Sequence, residues 1–151
     1  MLYFEDLRLG GTFNTAEHTV TAEEIMDFGR QFDPQPFHTD PAAAGSSVFG
    51  RLVASGWHTA AISMGLMVRG EMPLHGGVIG QGVDGLRWPR PVVPGDRLRV
   101  VMQVAELNPE PSRTGRGKLK LHCRTLNQDG KVVQEMTANL LVERRGVTKP
   151  A

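Results

Sequence analysis

Ala54-Ser55-Gly56-Trp57-His58-Thr59-Ala60-Ala61-Ile62-Ser63-Met64-Gly65-Leu66-Met67-Val68-Arg69 is the run against which every other segment has to be placed. Almost every position is apolar or small, and the one fixed charge, Arg69, stands at the end. A helix without a polar face must be covered nearly all round, so this is the expected core helix. A membrane span needs roughly 20 mainly apolar residues. This run is shorter and contains His58 and helix-weakening glycines, so no span is expected.

Downstream of Gly76 the apolar period changes to two. Val78 to Leu86, Leu98 to Leu107, Lys118 to Leu126 and Lys131 to Val142 read as strands; in the clearest, Leu119, Leu121 and Cys123 share one face while Lys118, Lys120, His122 and Arg124 share the other. Asn127-Gln128-Asp129-Gly130 reads as a hairpin turn, and Asn108 to Gly117 as a longer, mobile connection. Such short connections favour antiparallel pairing. Upstream, residues 1 to 12 form an irregular lead-in and Thr12 to Val20 a first strand. Thr21-Ala22-Glu23-Glu24 matches the capping box that opens a helix. Ile25, Phe28, Gly29 and Phe32 then form an apolar stripe, and Pro34 ends the helix. Pro41 to Ala44 reads as a short second helix with Asp40 as its N-cap. The expected class is α+β, a curved antiparallel sheet of about five strands, counted from these runs, round one apolar helix.

The 151 residues make one domain, 1–151, with a core over about 3–143 and a flexible tail over 144–151. Seventeen basic and sixteen acidic residues leave a formal charge of +1, so neither nucleic acid nor an anionic membrane is an expected partner. The lone Cys123 excludes an internal disulfide and a multi-cysteine metal site. That usage, and an N-terminus without a basic region or small-residue cleavage site, make the cytoplasm the expected location.

Asp33-Pro34-Gln35-Pro36-Phe37-His38 places a carboxylate and an imidazole in a segment whose two prolines forbid a regular helix and stiffen the backbone. Asp33 falls at a helix end and His38 in the loop beyond. The pair suits general acid-base chemistry; the alternative is an ordinary turn in which Asp33 caps and His38 is incidental. At the start of the core helix, Ser55 is a candidate N-cap and Gly56 permits close approach, leaving free backbone N–H groups that can stabilise an oxyanion. Ordinary capping is the alternative there too. His58 is either a hydrogen-bonded core histidine or part of a pocket wall. His18 and His122 are expected to be solvated, and His75 has no assigned role. The histidine spacings match no zinc pattern, so no metal is expected. No G-x-S-x-G elbow exists and Cys123 has no evident base, which leaves covalent catalysis without support. Gly80-Gln81-Gly82-Val83-Asp84-Gly85 matches the dinucleotide-binding pattern by letter, but Pro89, Pro91 and Pro94 follow where a helix would have to open.

Taken in order, Asp33-Pro34-Gln35-Pro36-Phe37-His38-Thr39-Asp40-Pro41, the Ala42 to Phe49 stretch, Leu52-Val53-Ala54-Ser55-Gly56 and Trp88-Pro89-Arg90-Pro91-Val92-Val93-Pro94-Gly95-Asp96 resemble the MaoC-like dehydratases, which include the (R)-specific enoyl-CoA hydratases. The resemblance spans roughly Tyr3 to Val142. It implies a hot-dog fold, a homodimer, an acyl-CoA thioester substrate and no cofactor. It makes Asp33 and His38 the catalytic pair, and Gly56, beside Ser55, the oxyanion and substrate-binding position; Gln35 and His58 are candidate pocket residues. Gln35 stands where the family usually has Asn, Ser55 where a His commonly precedes the glycine, and Met64, beside Ser63, where a helix serine is common. The implied reaction is hydration of a trans-2-enoyl-CoA or its reverse. A hot-dog acyl-CoA thioesterase and a non-catalytic acyl-CoA-binding protein are the alternatives. Arg87, Arg90, Arg113 and Arg116 are candidates to meet a nucleotide phosphate.

Overall fold

Residues 1–109 and 115–147 are described by the computed structural model of the chain. The strands follow the alternation in the sequence. They are β1 (Thr12–Asn14), β2 (His18–Thr19), β3 (Ile79–Arg87), β4 (Arg97–Asn108), β5 (Gly117–Leu126) and β6 (Val132–Val142). They form one antiparallel sheet in the order β1-β4-β5-β6-β3, with β2 also paired to β4. Val100, Met102 and Val104 of β4, Leu119, Leu121 and Cys123 of β5, and Met136, Ala138, Leu140 and Val142 of β6 share one buried face.

Six strands replace the expected five because Thr12 to Val20 breaks in the middle. The Thr15 hydroxyl accepts the Val100 N–H at 2.9 Å, where a backbone carbonyl would otherwise have continued the ladder. The turn at Asn127 to Gly130 forms as expected, with Gly130 at φ +70 and its N–H on the Asn127 carbonyl. The glycines of the G-x-G-x-x-G stretch lie within β3, beside register shifts at Gly80/Gly82 and Asp84/Arg87, with no helix after them.

The long helix α4 (Gly56–Arg69) lies on the buried face of the sheet, as the hot-dog resemblance implied. Leu66 and Met67 join the main core, and Ile62 touches both that core and a second one built from Val20, Ile25, Leu98 and Val133. The helix is not covered all round. Trp57, Met64 and Val68 form a stripe that is 60%, 40% and 52% exposed. A sequence shows that a face is apolar, not that its own chain covers it.

Three shorter helices frame the N-terminus of α4: α1 (Ala22–Phe32), α2 (Pro36–Thr39) and α3 (Pro41–Gly45). The capping box of α1 is made: the Glu24 N–H donates to the Thr21 hydroxyl and the Thr21 N–H to the Glu24 carboxylate. Ile25 and Gly29 are buried, whereas Phe32, expected on the same stripe, stays exposed. Asp40 caps α3 through the Ala42 and Ala43 N–H groups. His38 lies in a helical turn rather than a loop, because Pro36 takes the first helical position, where its missing N–H costs nothing. The tail expected over 144–151 is tied down at its start, where Arg144 pairs with Glu5 and Arg145 with Asp6. Residues 148–151, and most of the connection expected to be mobile after Asn108, lie outside the described residues. Among the described residues no helix is long and apolar enough to cross a membrane.

Candidate active site

Asp33 is delivered by the end of α1. Its N–H donates to the Gly29 carbonyl at 2.9 Å, and Pro34 prevents another turn. The α2 turn then folds back onto α1 at Gly29, where an added Cβ would lie 2.8 Å from the His38 carbonyl oxygen and 3.0 Å from its Cβ. A glycine is therefore required for His38 to come this close, a constraint that spacing along α1 did not reveal. His38 is buried, and its Nδ1 lies 2.6 Å from the Val53 carbonyl oxygen. A carbonyl can only accept, so Nδ1 carries a proton and donates it there, and the other nitrogen turns toward Asp33. His38 Nε2 lies 3.2 Å from Asp33 Oδ2.

Two further side chains reach the same carboxylate. Gln35 Nε2 donates to Oδ1 at 2.7 Å, and Ser55 Oγ donates to Oδ2 at 2.7 Å. The expected side-chain cap from Ser55 to α4 is not made; the hydroxyl is turned toward the Asp33 carboxylate instead. Burial pushes the Asp33 carboxyl up, but the Ser55 and Gln35 hydrogen bonds, with the neighbouring His38, outweigh it and hold the group below its ordinary value.

Gly56 opens α4, so its N–H is one of the orphan donors at a helix start. A Cβ there would lie 2.5 Å from the Trp88 indole, so the residue must be small for a neighbouring ring as well as for any ligand. Trp88 is held by its Nε1–H, which donates to the buried Gln134 at 2.9 Å, and by an edge contact with Trp57. Neither Trp88 nor Gln134 stood out in the sequence as a site residue; the unbroken Trp-Pro-Arg-Pro stretch after β3 was the available signal. Asp33, Gln35, His38, Gly56, Trp88 and Arg90 line one cavity of about 520 Å³, whose remaining wall is mainly apolar.

His58 does not line that cavity. It stacks on Phe28 with ring centroids 4.8 Å apart, its Nδ1 is buried without a partner, and it borders a separate cavity of about 280 Å³ with His18 and Arg69. Burial pushes its imidazole below the ordinary value, opposed by Glu24. His18 and His122, expected to be solvated, are each partnered, with Glu24 at 2.9 Å and Glu135 at 2.8 Å. His75 pairs with Glu143 at 2.6 Å and stacks on Tyr3, joining the N-terminal lead-in to the end of β6. Of the candidate phosphate-binding arginines, Arg90 borders the cavity, Arg87 does not, Arg116 is paired with Glu143, and Arg113 lies outside the described residues. Burial pushes the Cys123 thiol up to about 12, which leaves it protonated and unreactive. Among the described residues no group of three His, Cys, Asp or Glu side chains is placed to hold a metal.

What the arrangement can do is hold a water between a carboxylate and an imidazole, beside free N–H groups at a helix start. The MaoC like domain matches residues 6–121. A MaoC-like dehydratase from Rhodospirillum rubrum superposes with a TM-score of 0.92 at 48% identity, over 97% of this chain and 100% of that one. The uncharacterised protein YdeM of Bacillus subtilis is 31% identical over 142 residues, 93% of this chain and 98% of its own. The 3-hydroxybutyryl-CoA dehydratase of Methylorubrum extorquens is 30% identical over 152 residues, 99% of this chain and 90% of its own. With the family's domain matched over most of its length and its fold reproduced, this chain belongs to the MaoC-like dehydratase family.

Proposed function

We propose that the protein is a hydratase/dehydratase that adds water to a trans-2-enoyl-CoA, or removes it from a 3-hydroxyacyl-CoA. The observation that carries this reading is the approach of His38 Nε2 to Asp33 Oδ2, 3.2 Å, on the wall of a cavity that Gly56 also lines. In the forward direction a water held by the pair loses a proton to it while the water oxygen bonds to the β-carbon. The displaced electron pair moves to the thioester oxygen, where the Gly56 N–H and the positive end of α4 stabilise the enolate. The pair then returns a proton to the α-carbon. These steps call for no metal and no redox cofactor.

The reading extends to assembly and setting. Two copies would associate through the exposed Trp57, Met64 and Val68 of α4 and the outer edge of β3, the last strand in the sheet order. The enzyme would work in the cytoplasm, where CoA thioesters are at hand. The test is to incubate the purified protein with crotonyl-CoA and longer enoyl-CoAs, following enoyl absorbance and free thiol in parallel. Hydration predicts loss of absorbance without thiol release. Thiol release as the faster process would instead identify a thioesterase.

A further inference from the structure

We propose that Ser55 and Gln35 are positioning residues that clamp the Asp33 carboxylate, fixing its rotamer and keeping it ionised in front of His38. Gln35 donates to Oδ1 and Ser55 to Oδ2, both at 2.7 Å, so each oxygen has its own side-chain donor. Ser55 is 1% exposed, and its carbonyl accepts the His58 and Thr59 N–H groups at 2.9 and 3.1 Å. The first turn of α4 therefore holds the serine rigidly, and the serine passes that rigidity to the carboxylate 22 positions earlier. The same short stretch carries the Val53 carbonyl that orients His38 and Gly56, which lines the cavity at the start of α4. Residues 53 to 56 thus set the carboxylate, the imidazole and the oxyanion donor relative to one another.

Charge-assisted hydrogen bonds of this kind stabilise the ionised acid over the neutral one. A carboxylate that accepts from both sides also loses the rotation about χ2 that would carry Oδ2 away from Nε2. The charged or titratable group facing Asp33 is His38 from α2; Arg90, from the segment after β3, lines the same cavity with a guanidinium N–H on the Val132 carbonyl. On α1, Asp27 and Arg30 are paired with each other, and the start of α4 contributes the uncharged Ser55.

The consequence for turnover rests on the hydratase reading; the clamp itself does not. Removing one donor is expected to raise the Asp33 pKa by about one unit. In Ser55→Ala the acidic limb of the kcat/KM profile for crotonyl-CoA should move up by that amount, with kcat falling about tenfold and KM little changed. Ser55→Thr, which keeps the hydroxyl, should restore both. Gln35→Ala, at an exposed loop position, should shift the limb in the same direction without endangering the fold. Carbon-13 NMR titration of the Asp33 carboxyl in wild type and both alanine variants gives the same answer without catalysis. If no enoyl-CoA is turned over but the Asp33 titration moves up in the variants, the hydratase reading falls and the clamp stands. If neither the carboxyl titration nor the acidic limb moves, or if Ser55→Thr fails to restore them, the clamp is overturned.

Discussion

Asp33 meets Gln35 and His38 from its own segment and Ser55 from the start of α4, and its ionisation is tied to the fold. Its folded pKa lies below the ordinary value. The group therefore stabilises the fold at every pH above that ordinary value, and the contribution is lost as pH falls through the depressed one. Asp33→Asn should cost stability at neutral pH and much less in acid. Urea denaturation should show a smaller gap between the two proteins at about pH 3 than at about pH 7. Gly56 is held to its size by the Trp88 indole. Gly56→Ala must displace that ring, and equilibrium unfolding should show a loss of about 1–3 kcal/mol. Asp33 and His38 could be picked out in the sequence because they are five positions apart in one stiff segment. Ser55 was placed correctly at the start of α4, but its partner was not, because a serine that caps the next turn and one that reaches a carboxylate 22 residues away look alike as letters.

At the scale of elements, α1 and α4 meet where the Phe28 ring stacks on His58. The His58 pKa is lowered by burial, so the neutral ring is the form the fold favours. Its contribution is complete above the ordinary histidine value of 6.5 and is lost as pH falls toward the depressed folded value. His58→Phe removes this liability. Between about pH 7 and about pH 5 the melting temperature of the variant should fall less than that of wild type in scanning calorimetry. Thr21→Ala removes the first half of the α1 capping box and should cost about 1 kcal/mol by the same method. The bounds of α1 were legible because caps act between residues three apart. The split of the first strand was not, because the bond that causes it joins Thr15 to Val100. The α2 turn was missed for a local reason: proline was weighed as a helix breaker at a position where it is a helix starter.

For the whole molecule, the alternation of β4, β5 and β6 and the one apolar helix were enough to foresee a curved antiparallel sheet packed on α4. They were not enough to show which apolar face the chain leaves open, since composition does not say whose atoms cover it. If the Trp57, Met64 and Val68 stripe meets a second copy, sedimentation should give twice the 16.5 kDa chain mass. Met64→Glu with Val68→Glu should return a monomer, and a wild-type monomer at working concentration would contradict the assembly. The account as a whole depends on Asp33 and His38 acting together on a water. Its most direct test is the rate of crotonyl-CoA hydration by wild type and Asp33→Asn, with folding of the variant checked by circular dichroism. The account predicts a fall in kcat/KM of about 10²–10⁴-fold in a folded variant; a folded Asp33→Asn that hydrates crotonyl-CoA as fast as wild type would contradict it.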